Sequence, residues 1–193
     1  MTLYIWRHPK PLAATGICLG QTDMAVDARK IKRLANQIQR FARIHQLPKV
    51  IWVSPLQRSF KVGERLTKLG FDCHIADELS EINFGAWDGL LWAQIAKEEI
   101  DIWCDNFASF APDNGENLQQ LFSRVETWLQ AQAVNNSAIL VVGHAGWINA
   151  AKMVATRQEI PKLASDWPRS VAYNALSVLN LAELNQYISK TNF

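Results

Sequence analysis

Cysteine is scarce in this 193-residue chain: Cys18, Cys73 and Cys104 are odd in number, far apart, and form no Cys-x-x-Cys pair. That set excludes a disulfide framework and a zinc site built on thiolates, and reads as three reduced, mostly buried thiols. Long apolar runs are missing as well. The longest stretch, 138–151, is shorter than a bilayer span and carries His144 and Asn149. The N-terminal apolar run stops at Arg7, too early for a signal peptide, so a soluble, cytoplasmic protein is expected. Charge of one sign has no large excess: 20 Lys and Arg against 18 Asp and Glu give a net +2. With those charges read as spread along the chain, no nucleic-acid partner and no membrane surface are expected. Nothing resembles a Walker loop, which excludes nucleotide binding by that route. Repeats, low-complexity tracts and linkers are absent, so 1–193 reads as one domain.

What is present is ordinary globular material, 49% hydrophobic and 20% charged, enough for a core without staples. Thr2–Trp6 reads as a buried strand, followed by an aperiodic loop to Val26. Asp27 caps a predicted helix to about His45, whose Ile31, Leu34, Ala35, Ile38, Phe41 and Ala42 recur three and four apart. Val50–Val53 is a second strand, and Ser54-Pro55 opens a helix to about Leu69, with Ser54 as its N-cap. A third strand at 71–75, a long excursion from Leu79 to about Phe110, a helix at 118–133, a strand at 138–142, a helix at 147–155 and a last strand at 175–181 complete the order. Strands alternating with helices predict an α/β fold with a largely parallel sheet.

Two histidines stand at strand ends: His8, beside Arg7, after the first strand, and His144 after the strand at 138–142. Arg58 follows the second strand on the first turn of a helix, where its guanidinium and the helix N-terminus both favour an anion near Ser54. Alone, Arg58 reads as a solvated surface residue. In a parallel sheet, however, all three strand ends can converge on one point. Two arginines and two histidines around one point suit a phosphoryl group, since arginine forks match phosphate oxygens without a metal. The same cations disfavour imidazolium and keep a nearby histidine neutral and nucleophilic. Glu81, among apolar and aromatic neighbours, is the candidate proton donor, with Asp88 as its rival; a solvated strand-edge carboxylate is the plainer alternative. Glu116, after Gly115, reads as a capping or orienting carboxylate.

These residues resemble the histidine phosphatase superfamily, of phosphoglycerate mutase-like fold: Arg7-His8, Ser54-Pro55-Leu56-x-Arg58, Glu81 before Phe84-Gly85-x-Trp87-Asp88-Gly89, Gly115-Glu116, and Val142-Gly143-His144-Ala145-Gly146. The motifs keep the family's order over positions 3–147. The resemblance implies a three-layer α/β/α sandwich, His8 as nucleophile forming phosphohistidine, and Arg7, Arg58 and His144 around the phosphoryl group. Glu81 falls at the family's general acid. Loop residues Gln21 or Thr22 are implied as further phosphate holders, with a polar turn as their other reading. The loop from Arg7-His8-Pro9 through Gly20-Gln21-Thr22-Asp23, and the chain's size, look like the α-ribazole phosphatases of the cobalamin pathway.

The expected activity is therefore hydrolysis of a small-molecule phosphate ester, without cofactor or metal. A broad-specificity phosphatase, a phosphoglycerate mutase-like enzyme and a non-catalytic phospholigand-binding module are the alternatives. Trp87, Trp92, Trp103 and Trp147 are candidates to stack on a flat leaving group, or plain packing residues. The sequence departs from the family pattern at Pro9, Val62 and Asn117, where Gly, Thr and Ser are usual. Pro9 offers no amide to the phosphate. His45 and His74 have no ligand spacing, and no pattern specifies an oligomeric state.

Overall fold

The computed structural model describes residues 1–133 and 137–181. Five strands, β1 (Thr2–Arg7), β2 (Val50–Val53), β3 (Asp72–Ile75), β4 (Ala138–Gly143) and β5 (Leu176–Asn180), form one sheet in the order β3-β2-β4-β1-β5. The first four are mutually parallel, and β5 runs antiparallel along β1. Among the described residues five α-helices accompany them: α1 (Ala28–Ile44), α2 (Gln57–Thr67), α3 (Lys97–Asp105), α4 (Leu118–Ala133) and α5 (Ala145–Ala155).

The three layers follow from side-chain alternation in strands. Leu3, Ile5, Ile139 and Val141 face one way and share a core with Leu121, Val125 and Leu129 of α4 and Ile148 and Ala151 of α5. Trp6, Ile51, Val53, Leu140 and Val142 share the other with Leu34, Ile38 and Ala42 of α1 and Val62 and Leu66 of α2. Val62, fully buried there, acts as a packing residue.

Several local expectations need correction. Helix α2 starts at Gln57, with Leu56 rather than Ser54 at its cap position. Pro55 holds the preceding residue out of helical conformation, and the Ser54 hydroxyl is engaged by His144 instead. A 3₁₀ turn at 77–79 leads into the excursion after Leu79, which contains α3 and two more 3₁₀ turns, at 85–87 and 92–94, which short runs without clear periodicity did not announce. Asn117 caps α4: its Oδ1 accepts from Gln120 N at 2.9 Å while Gln120 Oε1 accepts from Asn117 N at 2.8 Å. Charge is also less even than expected. Arg29, Lys30, Lys32, Arg33, Arg40 and Arg43 are all exposed on α1, which has no acidic residue.

Candidate active site

Strands β2, β4 and β1 are neighbours, so their carboxyl ends lie side by side and deliver Ser54, His144 and Arg7-His8 to one region. Arg7 pairs in register with Gly143, and His8 N donates to Gly143 O at 3.0 Å. The two imidazoles stand 4.9 Å apart between centroids. The convergence expected from the strand ends is observed.

His8 is 3% exposed, and its Nδ1 lies 2.8 Å from the carbonyl oxygen of Pro9. A carbonyl only accepts, so Nδ1 carries the proton and Nε2 keeps its lone pair. Burial holds the His8 pKa well below its ordinary value; Arg58 and Arg7 add to this, against a smaller opposing effect of the Pro9 carbonyl. The ring is therefore neutral, with a free nucleophilic nitrogen.

His144 is fully buried, and burial followed by the field of Arg58 keeps it neutral too. Arg58 Nε donates to its Nδ1 at 3.2 Å, which puts the proton on Nε2, 2.7 Å from Ser54 Oγ. The terminal nitrogens of Arg58 reach the carbonyls of Gly20 and, at 2.8 Å, Thr22. That loop is pinned from outside by Asp88, whose carboxylate accepts from the amides of Gly20 at 3.2 Å, of Gln21, and of Thr22 at 2.9 Å. Gly20 is required there, since a Cβ would collide with the Ile82 carbonyl and Asp88. Asp88, the rival acid, is thus a clamp on the loop. The anion at the start of α2 is Asp23, accepting from Gln57 N at 2.8 Å and Gln57 Nε2 at 3.0 Å, rather than a site near Ser54.

Glu81 is 7% exposed, yet its carboxyl faces amides rather than the expected apolar wall. Oε2 accepts from Gly146 N at 3.0 Å, and Oε1 accepts from Trp147 N and Ile82 N, both at 3.1 Å. Two of those amides open α5, where a negative group is favoured. Gly146 permits the approach, as a Cβ would stand 2.6 Å from Oε1. The segment carrying Glu81 is lashed down by Arg124 of α4, which donates to the carbonyls of Glu78 and Ser80 at 2.8 Å and of Glu81 at 3.1 Å. Glu116 grips Arg124 with both oxygens, at 2.6 and 3.0 Å, and so orients as expected.

A cavity of about 240 Å³ opens at this point, with Arg7, His8, Glu81, Ala145, Gly146 and Tyr173 in its wall. Arg58 and His144 are not in its lining, and neither are Gln21 and Thr22. The Gln21 side chain is spent on the Glu81 carbonyl at 3.1 Å, and Thr22 serves the loop through its backbone. Of the tryptophans, Trp92 and Trp103 line the cavity, whereas Trp87 and Trp147 are buried packing residues at 4% and 0% exposure. His45 caps α1 and His74 lies in the edge strand β3; among the described residues no His, Cys, Asp or Glu cluster could hold a metal.

Three contributors escaped sequence reasoning: Arg124, Tyr173 and Trp167. Tyr173 places its ring 3.8 Å from the Arg7 guanidinium carbon and 5.6 Å from the His8 ring, while Arg7 donates to Val171 O at 2.5 Å. Only Arg124, a charge within the apolar face of α4, left a signal in the sequence.

Known proteins resemble this chain in sequence and in fold. A family model described as the histidine phosphatase superfamily (branch 1) matches residues 3–192. A bifunctional protein of Mycobacterium tuberculosis is 30% identical over 139 residues, 67% of this chain; the match spans about a third (35%) of that relative's length. The adenosylcobalamin/alpha-ribazole phosphatase of Salmonella typhimurium is 27% identical over 191 residues, covering 95% of this chain and 92% of that one. Among solved structures, the alpha-ribazole phosphatase of Shigella flexneri superimposes with a TM-score of 0.71 at 25% identity, covering 93% of this chain and 90% of that one.

Proposed function

The chain belongs to the histidine phosphatase superfamily, and from that premise we propose that it is a single-domain phosphomonoester hydrolase working through phosphohistidine on His8. The observation that carries this reading is the His8 ring itself: neutral, with Nδ1 tied to Pro9 O and Nε2 free. In the first step Nε2 attacks phosphorus in line, the P–O ester bond breaks, and Glu81, as general acid, passes a proton to the leaving oxygen. In the second, the Glu81 carboxylate takes a proton from water, whose oxygen attacks phosphorus as the P–N bond breaks. Inorganic phosphate leaves and His8 is restored.

Arg7 neutralises the phosphoryl oxygens directly. Arg58, buried outside the cavity lining, adds its field at His8, and His144, with Ser54, holds Arg58 in place. The work is positioning and electrostatic stabilisation. We assign the substrate as a small phosphate ester, with α-ribazole 5′-phosphate as the first candidate. The support is the match to the Salmonella enzyme over nearly the whole length of both chains, together with the similar Shigella fold.

A panel of phosphate esters, run for wild type and His8→Ala with and without chelator, tests the proposal. Wild type hydrolyses α-ribazole 5′-phosphate with or without chelator, and forms an acid-labile, alkali-stable phosphoprotein that His8→Ala does not. Full activity in His8→Ala refutes the nucleophile. Faster turnover of simple sugar phosphates leaves a broad-specificity phosphatase. Ligand binding without turnover or label leaves a non-catalytic module.

A further inference from the structure

The cavity beside His8 has two chemically different ends. Among the described residues its charged side chains are Arg7, beside His8 in the chain, and Glu81, whose field reaches Arg7; the remaining wall includes Ile17, Leu19, Phe84, Trp92, Trp103 and Trp167, with Ser170 and the Tyr173 phenol as other polar side chains. The aromatic end is assembled by ring contacts and thus preformed. Trp92 and Trp103 stack at 5.9 Å with 27° between planes, Phe84 meets both edge-on at 5.9 and 6.1 Å, and Phe107 buttresses Trp103 at 5.0 Å. Trp92, Trp103 and Trp167 are only half-buried, unlike the packing residues Trp87 and Trp147.

Once a phosphoryl group sits against His8 and Arg7, the rest of its ester must occupy this wall. A second phosphate or carboxylate placed there loses its hydration and, among the described lining residues, meets no cation besides Arg7, with the Glu81 carboxyl also in the wall. A flat apolar group gains by burial against the rings and gives up no charged hydration. The volume of about 240 Å³ lies below the range of roughly 300 to 1,000 Å³ usual for ligand pockets, so it fits a compact ring system.

We infer that this wall selects phosphate monoesters whose alcohol portion is compact, apolar or aromatic, and free of a second negative charge, with Trp92 as a specificity-determining residue. The inference rests on the reading that the His8 end takes the phosphoryl group. It goes beyond that reading by setting the class of leaving group, in which an uncharged base on a ribosyl monophosphate is included.

The test separates binding from turnover. Calorimetry on the wild-type protein compares 1-naphthylmethylphosphonate with 3-phosphonopropionate, neither of which can be hydrolysed, and kinetics compare 1-naphthyl phosphate with 3-phosphoglycerate. The naphthyl compound is expected to bind about tenfold tighter or more, and its ester to show a similar advantage in kcat/KM. Trp92→Ala removes most of that preference by weakening the naphthyl compound far more than 3-phosphonopropionate, and Trp92→Phe restores much of it. Equal or tighter binding of the carboxylate compound, binding of neither, or a preference untouched by Trp92→Ala overturns the inference. Preferential phosphonate binding without hydrolysis of either ester sustains the wall's selectivity and defeats the phosphatase reading. Hydrolysis of both esters with equal efficiency does the reverse.

Discussion

The Nδ1 of His8 is hydrogen-bonded to the carbonyl oxygen of the next residue, Pro9, at 2.8 Å. The residue that looked like a departure beside the nucleophile therefore acts through its carbonyl. A proline retains that group, and its missing N–H is not called upon. The first prediction follows: Pro9→Gly restores an amide but adds nothing the ring uses, so kcat stays within about threefold of wild type. Loss of the fixed φ costs roughly 0.4–1 kcal/mol of stability through the unfolded chain. Steady-state kinetics and urea titration check both numbers, and a large gain in kcat would show that the amide had been missed.

Glu81 and Asp88 were rival acids in the sequence, and the structure separates them by what they touch. Glu81→Gln is expected to lower kcat/KM about 10²- to 10⁴-fold for an alkyl phosphate, whose leaving oxygen needs a proton. The loss should shrink sharply for p-nitrophenyl phosphate, whose leaving group does not. Asp88→Asn gives up charge-assisted bonds to the loop amides, worth roughly 1.5–3 kcal/mol each. Its defect should therefore be in stability and in Arg58 placement, equal for the two esters. A leaving-group dependence in Asp88→Asn instead would reverse the assignment.

What the sequence revealed and what it hid divide along a physical line. The sheet, the amphipathic helices α1 and α4, and the meeting of His8 with His144 all depend on periodicity and on where strands end, which one residue string records. The partners of those side chains do not. The bond from Ser54 to His144 spans 90 positions and that from Arg58 to Gly20 spans 38. Tyr173, near the end of the chain, reaches Arg7 only because β5 turns back along β1. Glu81 was read from its neighbours in sequence as an acid in an apolar setting, yet its carboxyl is received by amides of α5, which sequence proximity could not foretell. Gln21 and Thr22 are implied as phosphate holders by the family resemblance, while the loop is held almost wholly through backbone groups.

Ser54 holds the proton-bearing Nε2 of a fully buried histidine, which makes it a positioning residue open to direct test. Ser54→Ala leaves that N–H unsatisfied, a cost of about 1–3 kcal/mol. It also frees His144 to change tautomer and release Arg58 Nε. The expected outcome is a lower melting temperature together with roughly tenfold lower kcat from the loss of electrostatic preorganisation. Phosphate-ester kinetics with inorganic phosphate as inhibitor checks this: a stability loss with kcat and phosphate affinity both intact would leave Ser54 a purely structural role.

The two histidines also make stability depend on pH in a definite direction. Both His8 and His144 are held well below the ordinary value of 6.5 by burial and by neighbouring arginines. Between their folded values and 6.5, the unfolded chain binds protons that the folded chain does not. The stability contribution is therefore complete above about pH 6.5 and is lost progressively below it, at about 1.4 kcal/mol per histidine for each pH unit. Urea unfolding at pH 7.5, 6.5 and 5.5 should show little change over the first interval and a steep loss over the second. His8→Asn, which cannot titrate, should shed about half of the slope attributable to this pair. A stability that rises as pH falls from 6.5 to 5.5 would mean the rings are charged in the folded protein, and an imidazolium at position 8 has no lone pair with which to attack phosphorus.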